Sequence, residues 1–296
     1  MLTRIIVGII GIPVFIALIL LGNSYLFALI LILSNLSIWE YLKIAREKQA
    51  APIASLAYIF NSLFISILFL GLFYGGDYSG INPTPYLIIL LLLNTLAHSA
   101  ANLWNKHPNN TTSIATGITS FNYITLLFAS ILCISQFRNF SEIFLALPKI
   151  SLIQMGGIDW NIIVLSTFIS IWASDSFAYF VGRSIGKHKL FERISPKKSW
   201  EGAIGGFFGA IVGFALPVYY LAPAFSFTLS LILGGLIGIV GPLGDLSESQ
   251  LKRDAGIKDS SNIIPGHGGV LDRFDSMLFA APTVLIVLIS YYLLIA

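Results

Sequence analysis

Between Ser249 and Asp275 the chain gathers Lys252, Arg253, Lys258 and Arg273 with Asp254, Asp259, Asp272, Asp275 and His267. Carboxylates and cations in so short a stretch suit a hard divalent cation bound together with a polyphosphate. Mg²⁺ takes one or two protein carboxylates and completes its shell with water and phosphate oxygens. Lysine and arginine grip and neutralise the phosphates themselves. A helix beginning near Val270 sets Asp272 and Asp275 at i, i+3, so that both carboxylates point the same way. Gly266, Gly268 and Gly269 surround His267 with residues that disfavour helix and allow a close backbone approach to a bound group. If Leu243–Arg253 is helical, Asp245, Ser249 and Lys252 share one face.

Two further polar clusters lie upstream. Asp175 falls inside an apolar run, where a lipid-facing carboxylate costs roughly 2.5–3.5 kcal/mol on insertion scales. Arg183 and Gly186-Lys187-His188-Lys189 follow it. Ser195-Pro196-Lys197-Lys198-Ser199-Trp200-Glu201-Gly202 then enters the next apolar run. Each feature has a plainer reading. The lysines serve equally as anchors at a membrane surface. Asp272 beside Arg273 makes a structural ion pair. His267 alone reads as a hydrogen-bonding loop residue. Glu40, near the end of an apolar run, is expected to snorkel to the interface. Asp77, Asp159 and Glu142 read as solvated loop charges.

These clusters are carried by a very apolar chain. Of 296 residues, 56% are hydrophobic and 10% charged, and mean hydropathy is +0.85. A soluble domain carries about 25% charged residues, so the composition predicts an all-α, polytopic integral membrane protein. Its spans need roughly 20 apolar residues each. About nine are expected, near Ile5–Gly22, Tyr25–Leu42, Ile53–Tyr74, Pro85–Trp104, Thr112–Ile134, Trp160–Val181, Gly202–Leu221, Phe225–Val240 and Met277–Ala296. Asn82-Pro83-Thr84-Pro85 and His107-Pro108-Asn109-Asn110 read as loops, and 140–158 as an interfacial stretch. Gly205, Gly209 and Gly213, and again Gly234 and Gly238, repeat at the four-residue spacing that lets helices approach closely in lipid. The lone Cys133 supports no disulfide or thiolate metal site. The first residues show no cleavable signal. The net charge of +3 says little about partners and nothing favours nucleic acid. With the N-terminus in the cytoplasm, all 17 lysines and arginines except Arg138 and Lys149 lie in cytoplasmic segments or at cytoplasmic helix ends, as the positive-inside rule requires. The expected location is the plasma (inner) membrane, with the C-terminus outside and the charged clusters facing the cytoplasm.

The spacing Ser249-x-Leu251-Lys252-Arg253, then Lys258-Asp259-x-Ser261, Ile264-Pro265-x-His267-Gly268-Gly269-Val270 and Asp272-Arg273-Phe274-Asp275 resembles the signature of the phosphatidate cytidylyltransferases, or CDP-diacylglycerol synthases. No position of that pattern departs from it. Asp175, Gly182-Arg183 and the Ser195–Gly202 run resemble the same family, so the likeness covers Ile171 to Asp275. It implies transfer of a cytidylyl group from CTP to phosphatidic acid, with Mg²⁺ and room for a second cation. Residues 1–150 would then shape a lipid site and scaffold, and 151–296 would carry catalysis. The resemblance casts Asp272, Asp275, Asp245 and Asp259 as metal ligands. Lys252, Arg253, Lys258 and Arg273 become phosphate binders. Ser195, Lys197, Lys198 and Ser199 form another wall of the phosphate site, with Ser249 and Arg183 beside the substrates. His267, Gly268 and Gly269 contact nucleotide phosphates, and Asp175 orients a lysine or joins the metal shell. The partners are CTP, phosphatidic acid and membrane lipid, and a homodimer is compatible with them. Two rivals are another CTP-using enzyme with a different lipid phosphate or polyprenol acceptor, and a cation transporter. A transporter would place acidic residues at mid-membrane in several spans, whereas Asp175 alone approaches this.

The orientation is directly testable. A reporter fused after Ala296 should behave as periplasmic or extracellular. Cytoplasmic behaviour would mean that one span more or fewer lies between Arg138 and Trp160.

Overall fold

The structure is a computed structural model that describes residues 2–74, 82–104, 109–145, 155–264, 266 and 268–295. The expected interfacial stretch 140–158 and the His107-Pro108 loop therefore lie partly outside the described residues, as do Pro265 and His267. Helices dominate. They are α1 (Leu2–Leu21), α2 (Asn23–Glu47), α3 (Ala54–Tyr74), α4 (Thr84–Ala101), α5 (Asn110–Ser120), α6 (Leu126–Ser135), α7 (Phe137–Leu145), α8 (Trp160–Ile185), α9 (Trp200–Leu221), α10 (Phe227–Asp254) and α11 (Leu271–Ile295). A π-helical turn, Phe121–Thr125, joins α5 to α6, so the two form one rod of 26 residues. Among the described residues eight rods are long and apolar enough to cross a membrane, and Gly8–Leu21 adds a shorter apolar one. The polytopic all-α expectation holds, with one small addition. Strands β1 (Lys189–Phe191) and β2 (Ser195–Ser199) pair antiparallel, Lys189 opposite Ser199 and Phe191 opposite Ser195. The hairpin is short, and Pro196 is tolerated because a two-stranded ribbon consists of edge strands.

The chain forms two compact units, Met1–Ala146 with Leu251–Arg273, and Leu147–Gln250 with Phe274–Ala296. In the first unit, phenylalanines and branched residues such as Phe64, Ile65, Phe121 and Phe128 are buried. Lipid is as apolar as these side chains, so burial alone does not select the helix arrangement; polar contacts and close packing do. Asn61 is such a contact. Its amide nitrogen donates to Ser34 Oγ at 3.0 Å and its oxygen accepts from Thr125 Oγ1 at 2.8 Å, tying α2, α3 and the π turn together.

In the second unit glycines do the packing. A Cβ on Gly206 would meet the Ser174 carbonyl, one on Gly209 would meet Phe177 and the Ala173 carbonyl, and one on Gly213 would meet the Ile169 carbonyl. The ridge on α9 therefore lies backbone-close against α8, and Ser170 Oγ donates to the Ala210 carbonyl at 2.8 Å across it. Gly234 and Gly238 of α10 meet Ile211 and Phe207 of α9 in the same way. α10 differs from expectation at one end. The span and the charged segment after it form a single helix that continues through Gly241-Pro242 to Asp254. In this continuation a Cβ at Gly244 would collide with the Asp275 carbonyl, so α10 lies backbone-close to the first turns of α11 there.

Gly209→Val should lower stability by about 1–3 kcal/mol or more, as overpacking does where the obstacle is backbone. Gly235→Ala, whose added Cβ would make ordinary contacts with the Phe207 ring at 3.4 Å and Ile211 Cδ1 at 3.9 Å, should be neutral. Thermal midpoints of the purified protein in detergent check this. Equal midpoints for the two variants would mean that the ridge is not a tight contact.

Candidate active site

Five of the residues singled out by sequence lie together in the second unit. Asp175, Arg183, Lys197, Lys198 and Ser199 line one cavity of about 320 Å³ between α8, the hairpin, α9 and Pro242 of α10. Local chemistry explains the arrangement. Ser199 has extended backbone and its Oγ accepts from Gly202 N at 3.2 Å, so it caps α9 and ends β2. Gly182 and Gly202 both line the cavity, and a Cβ added at Gly202 would stand 3.2 Å from Gly182 Cα, so α8 and α9 approach closely at this point. Arg183 donates to Tyr179 Oη at 2.8 Å and its guanidinium stands 5.9 Å from that ring, one turn away on α8. The hairpin is braced from outside: Lys189 Nζ reaches the Pro196 carbonyl at 2.7 Å, and His188 Nδ1 meets Glu201 Oε1 at 2.6 Å. Ser195 sits at the start of β2, opposite Phe191.

Lys198 also links the cavity to the carboxylates. Its Nζ is 2.5 Å from Asp245 Oδ2, and Ser249 Oγ donates to Asp245 Oδ1 at 3.1 Å. The predicted shared face of Asp245 and Ser249 is thus a direct contact. Because Gly244 packs on the Asp275 carbonyl, Asp245 is brought to the neighbourhood of Asp275, whose side chain is buried. No three His, Cys, Asp or Glu side chains come together for one ion among the described residues. Mg²⁺ does not require such a cluster, since it takes one or two protein carboxylates and relies on water and phosphate oxygens for the rest of its shell.

The first unit holds the other part of the signature. Lys252 Nζ is 2.6 Å from Asp272 Oδ1, with both side chains about nine-tenths buried. Asp272 thus pairs with a lysine twenty residues away in sequence. Asp272 also accepts from Ser260 N, from Ser260 Oγ at 3.0 Å and from Gly269 N at 2.8 Å. Gly266 and Gly268 have φ of 77° and 84°, the left-handed region that glycine enters freely. Ile264 N donates to the Gly268 carbonyl at 3.0 Å and closes the turn around them. Lys258, Asp259 and Arg253 are exposed, with Arg253 folded back onto the Ile257 carbonyl at 3.0 Å. Arg273 is exposed on the first turn of α11. His267 lies outside the described residues.

One expectation is overturned. Glu40 does not snorkel. It is fully buried in α2, and its carboxylate accepts from Ser260 Oγ, Ser261 Oγ, Val270 N and Leu271 N. These four donors make burial cheaper than a route to the interface, and two of them are amides at the start of α11, which favour a negative charge. Ser260 escaped the sequence reading with it. The signal was available for Glu40, since a carboxylate in an apolar span is suspect on the same grounds as Asp175.

Comparison with known proteins agrees with this geometry. A relative from Haemophilus influenzae named phosphatidate cytidylyltransferase is 34% identical over 283 residues, covering 88% of this chain and 89% of its own. Proteins of the same name from Synechocystis and Staphylococcus haemolyticus are 47% and 43% identical over shorter stretches, covering 42% and 43% of this chain and 42% and 49% of theirs. The model of the cytidylyltransferase family matches residues 2–291, and so the chain, with its helices and its basic cavity, belongs to that family of nucleotidyl-transferring enzymes.

Proposed function

We propose that the protein transfers the cytidylyl group of CTP to phosphatidic acid, forming CDP-diacylglycerol and pyrophosphate at the cytoplasmic face of the membrane. The observation that carries this reading is the cavity in which Arg183, Lys197 and Lys198 stand with Asp175 at the end of a membrane span. A site of that kind suits a reaction between a soluble polyanion and the phosphate of a lipid. The distribution of lysine and arginine supports the cytoplasmic side.

The reaction exchanges one phosphorus–oxygen bond for another. A phosphate oxygen of the lipid attacks the α-phosphorus of CTP, a new P–O bond forms, and the bond to the β-phosphate oxygen breaks in line with it. Pyrophosphate leaves with the bonding pair. A phosphate monoester is already largely ionised near neutrality, so positioning and charge neutralisation carry most of the work. Lys197, Lys198 and Arg183 grip the phosphates. Lys198 is pre-oriented by Asp245, and Arg183 by Tyr179, which lowers the cost of ordering them at the moment of binding. Lys252, Arg253, Lys258 and Arg273, together with His267 and the Gly268-Gly269 turn, supply further contacts to CTP or lipid phosphates. Asp245 and Asp275 would hold Mg²⁺, and Asp259 and Asp272 would offer carboxylates to a second cation. When bound, Mg²⁺ neutralises charge developing on the phosphate oxygens.

Pyrophosphate release from CTP, measured with phosphatidate, with other lipid phosphates and with none, tests the reaction. Release that does not depend on phosphatidate overturns the proposed acceptor. Lys197→Ala and Lys198→Ala should each lower kcat/KM for CTP by about 10- to 100-fold, as loss of a charge-assisted contact does. The double variant should fall further. Activity per correctly inserted molecule is the measure, and an unchanged ratio in the double variant would make these lysines membrane anchors only.

Asp272→Asn and Asp275→Asn should each cost on the order of a hundredfold or more in turnover per folded molecule. Asp254→Asn should be tolerated, because Asp254 forms only an exposed pair with Lys48 at 3.4 Å. Turnover against Mg²⁺ concentration decides. Normal turnover of the first two variants at ordinary Mg²⁺ would place the metal elsewhere.

A further inference from the structure

Besides Asp272, the first unit holds a second heavily bonded carboxylate, on α2 and far in sequence from the signature. Glu40 Oε1 accepts from Ser261 Oγ at 2.5 Å and Val270 N at 2.9 Å, while Oε2 accepts from Ser260 Oγ at 3.0 Å and Leu271 N at 2.6 Å. Both oxygens therefore serve one hydroxyl and one backbone amide. Gly269 lies so close that a Cβ there would collide with Ser260 Oγ and with both Glu40 oxygens. Ser260 and Ser261 on one side and Gly269, Val270 and Leu271 on the other close around this carboxylate.

Ser260 connects Glu40 to Asp272. Its Oγ stands 3.0 Å from Glu40 Oε2 and 3.0 Å from Asp272 Oδ2. A hydroxyl carries one proton and can donate to one acceptor at a time. The two carboxylates therefore compete for it, and the outcome sets how firmly Asp272 is held in addition to its bonds from Ser260 N and Gly269 N.

Resting on the cytidylyl-transfer reading above, we infer that Glu40 is a positioning residue: its carboxylate fixes the signature loop and the first turn of α11, and through Ser260 sets the orientation of Asp272. It does not touch the reacting atoms in this role. A structural tie between α2 and the loop is the plainer reading, and the two predict different behaviour. A tie affects how many molecules fold. A positioning residue affects what each folded molecule does, since a misplacement of about 1 Å can cost on the order of a hundredfold in rate.

Glutamine is the informative replacement. It keeps the shape, yet whichever oxygen becomes the amide, its N–H groups face the backbone N–H of Val270 or Leu271, and donors cannot pair with donors. Ser261→Ala removes one donor and leaves the carboxylate, so it remains informative where Glu40→Gln fails to fold. Full-length protein in detergent or bilayer discs serves for both readouts, kcat per folded molecule and amide hydrogen exchange over 260–275. For Glu40→Gln the expected result is a 10- to 100-fold fall in kcat, with faster exchange at Val270 and Leu271. Ser261→Ala should move both in the same direction by less. Faster exchange with unchanged kcat per folded molecule would reduce Glu40 to a tie and overturn the inference. Unchanged exchange in both variants would overturn it as well. Wild-type protein that releases no pyrophosphate from CTP with phosphatidate would overturn the functional reading, a failure distinct from an exchange result that contradicts the anchor.

Discussion

A charge in an apolar protein has to be matched by donors, by an opposite charge or by water, because an unmatched one costs several kcal/mol. Much of this structure follows from that constraint. Glu40 satisfies it with two hydroxyls and two backbone amides. Asp272 satisfies it with Lys252 and the amides of Ser260 and Gly269. Asp245 satisfies it with Lys198 and Ser249. The buried Lys252–Asp272 pair contributes little net stability, since desolvation offsets most of the attraction, but breaking it leaves an unpaired charge at a cost of about 3–5 kcal/mol. The consequence of such matching is geometric: each ionic group has one place to be.

Close backbone packing supplies the second ingredient. Hydrophobic burial gives helices in lipid little reason to prefer one neighbour, so contact distance and hydrogen bonds decide. The glycines of α9 bring α8 and α10 to backbone contact. Gly182 and Gly202 continue that contact to the cavity, where the absence of side chains leaves room beside Lys197 and Lys198. The same small residues therefore set the helix spacing and the size of the space that takes a ligand. In the first unit Gly269 does the corresponding work, because only a residue without a Cβ lets the loop close on Glu40.

The chemistry of the site reflects the two together. Cations presented by a rigid hairpin and a capped helix need little reordering when phosphates arrive. Ser199, which caps α9 and ends β2, ties the lysines before it to the helix after it. Transfer between phosphates asks for positioning and charge compensation more than for an acid or base, and this protein is rich in groups suited to those tasks.

What could be read from the sequence was what is local. Hydropathy located the spans to within a few residues, because a bilayer demands roughly 20 apolar residues each time the chain crosses. Charge spacing singled out Asp175, Arg183, Lys197 and Lys198, since polar groups in such a chain stand out against the background. Four-residue glycine spacing announced the ridges. The β-hairpin was not legible, because a ribbon of so few residues around Pro196 has no clear alternating pattern. Nor was the continuation of α10 past Pro242, because Gly241-Pro242 is punctuation that more often ends a helix. The pairings were least legible of all. Lys252 with Asp272 spans 20 positions and Glu40 with Ser260 spans 220. No periodicity carries such a contact. Composition and spacing determined that this is a helical membrane protein with a phosphate-type charge cluster; the fold alone decided which carboxylate meets which donor, because that depends on where distant backbone segments bring their amides.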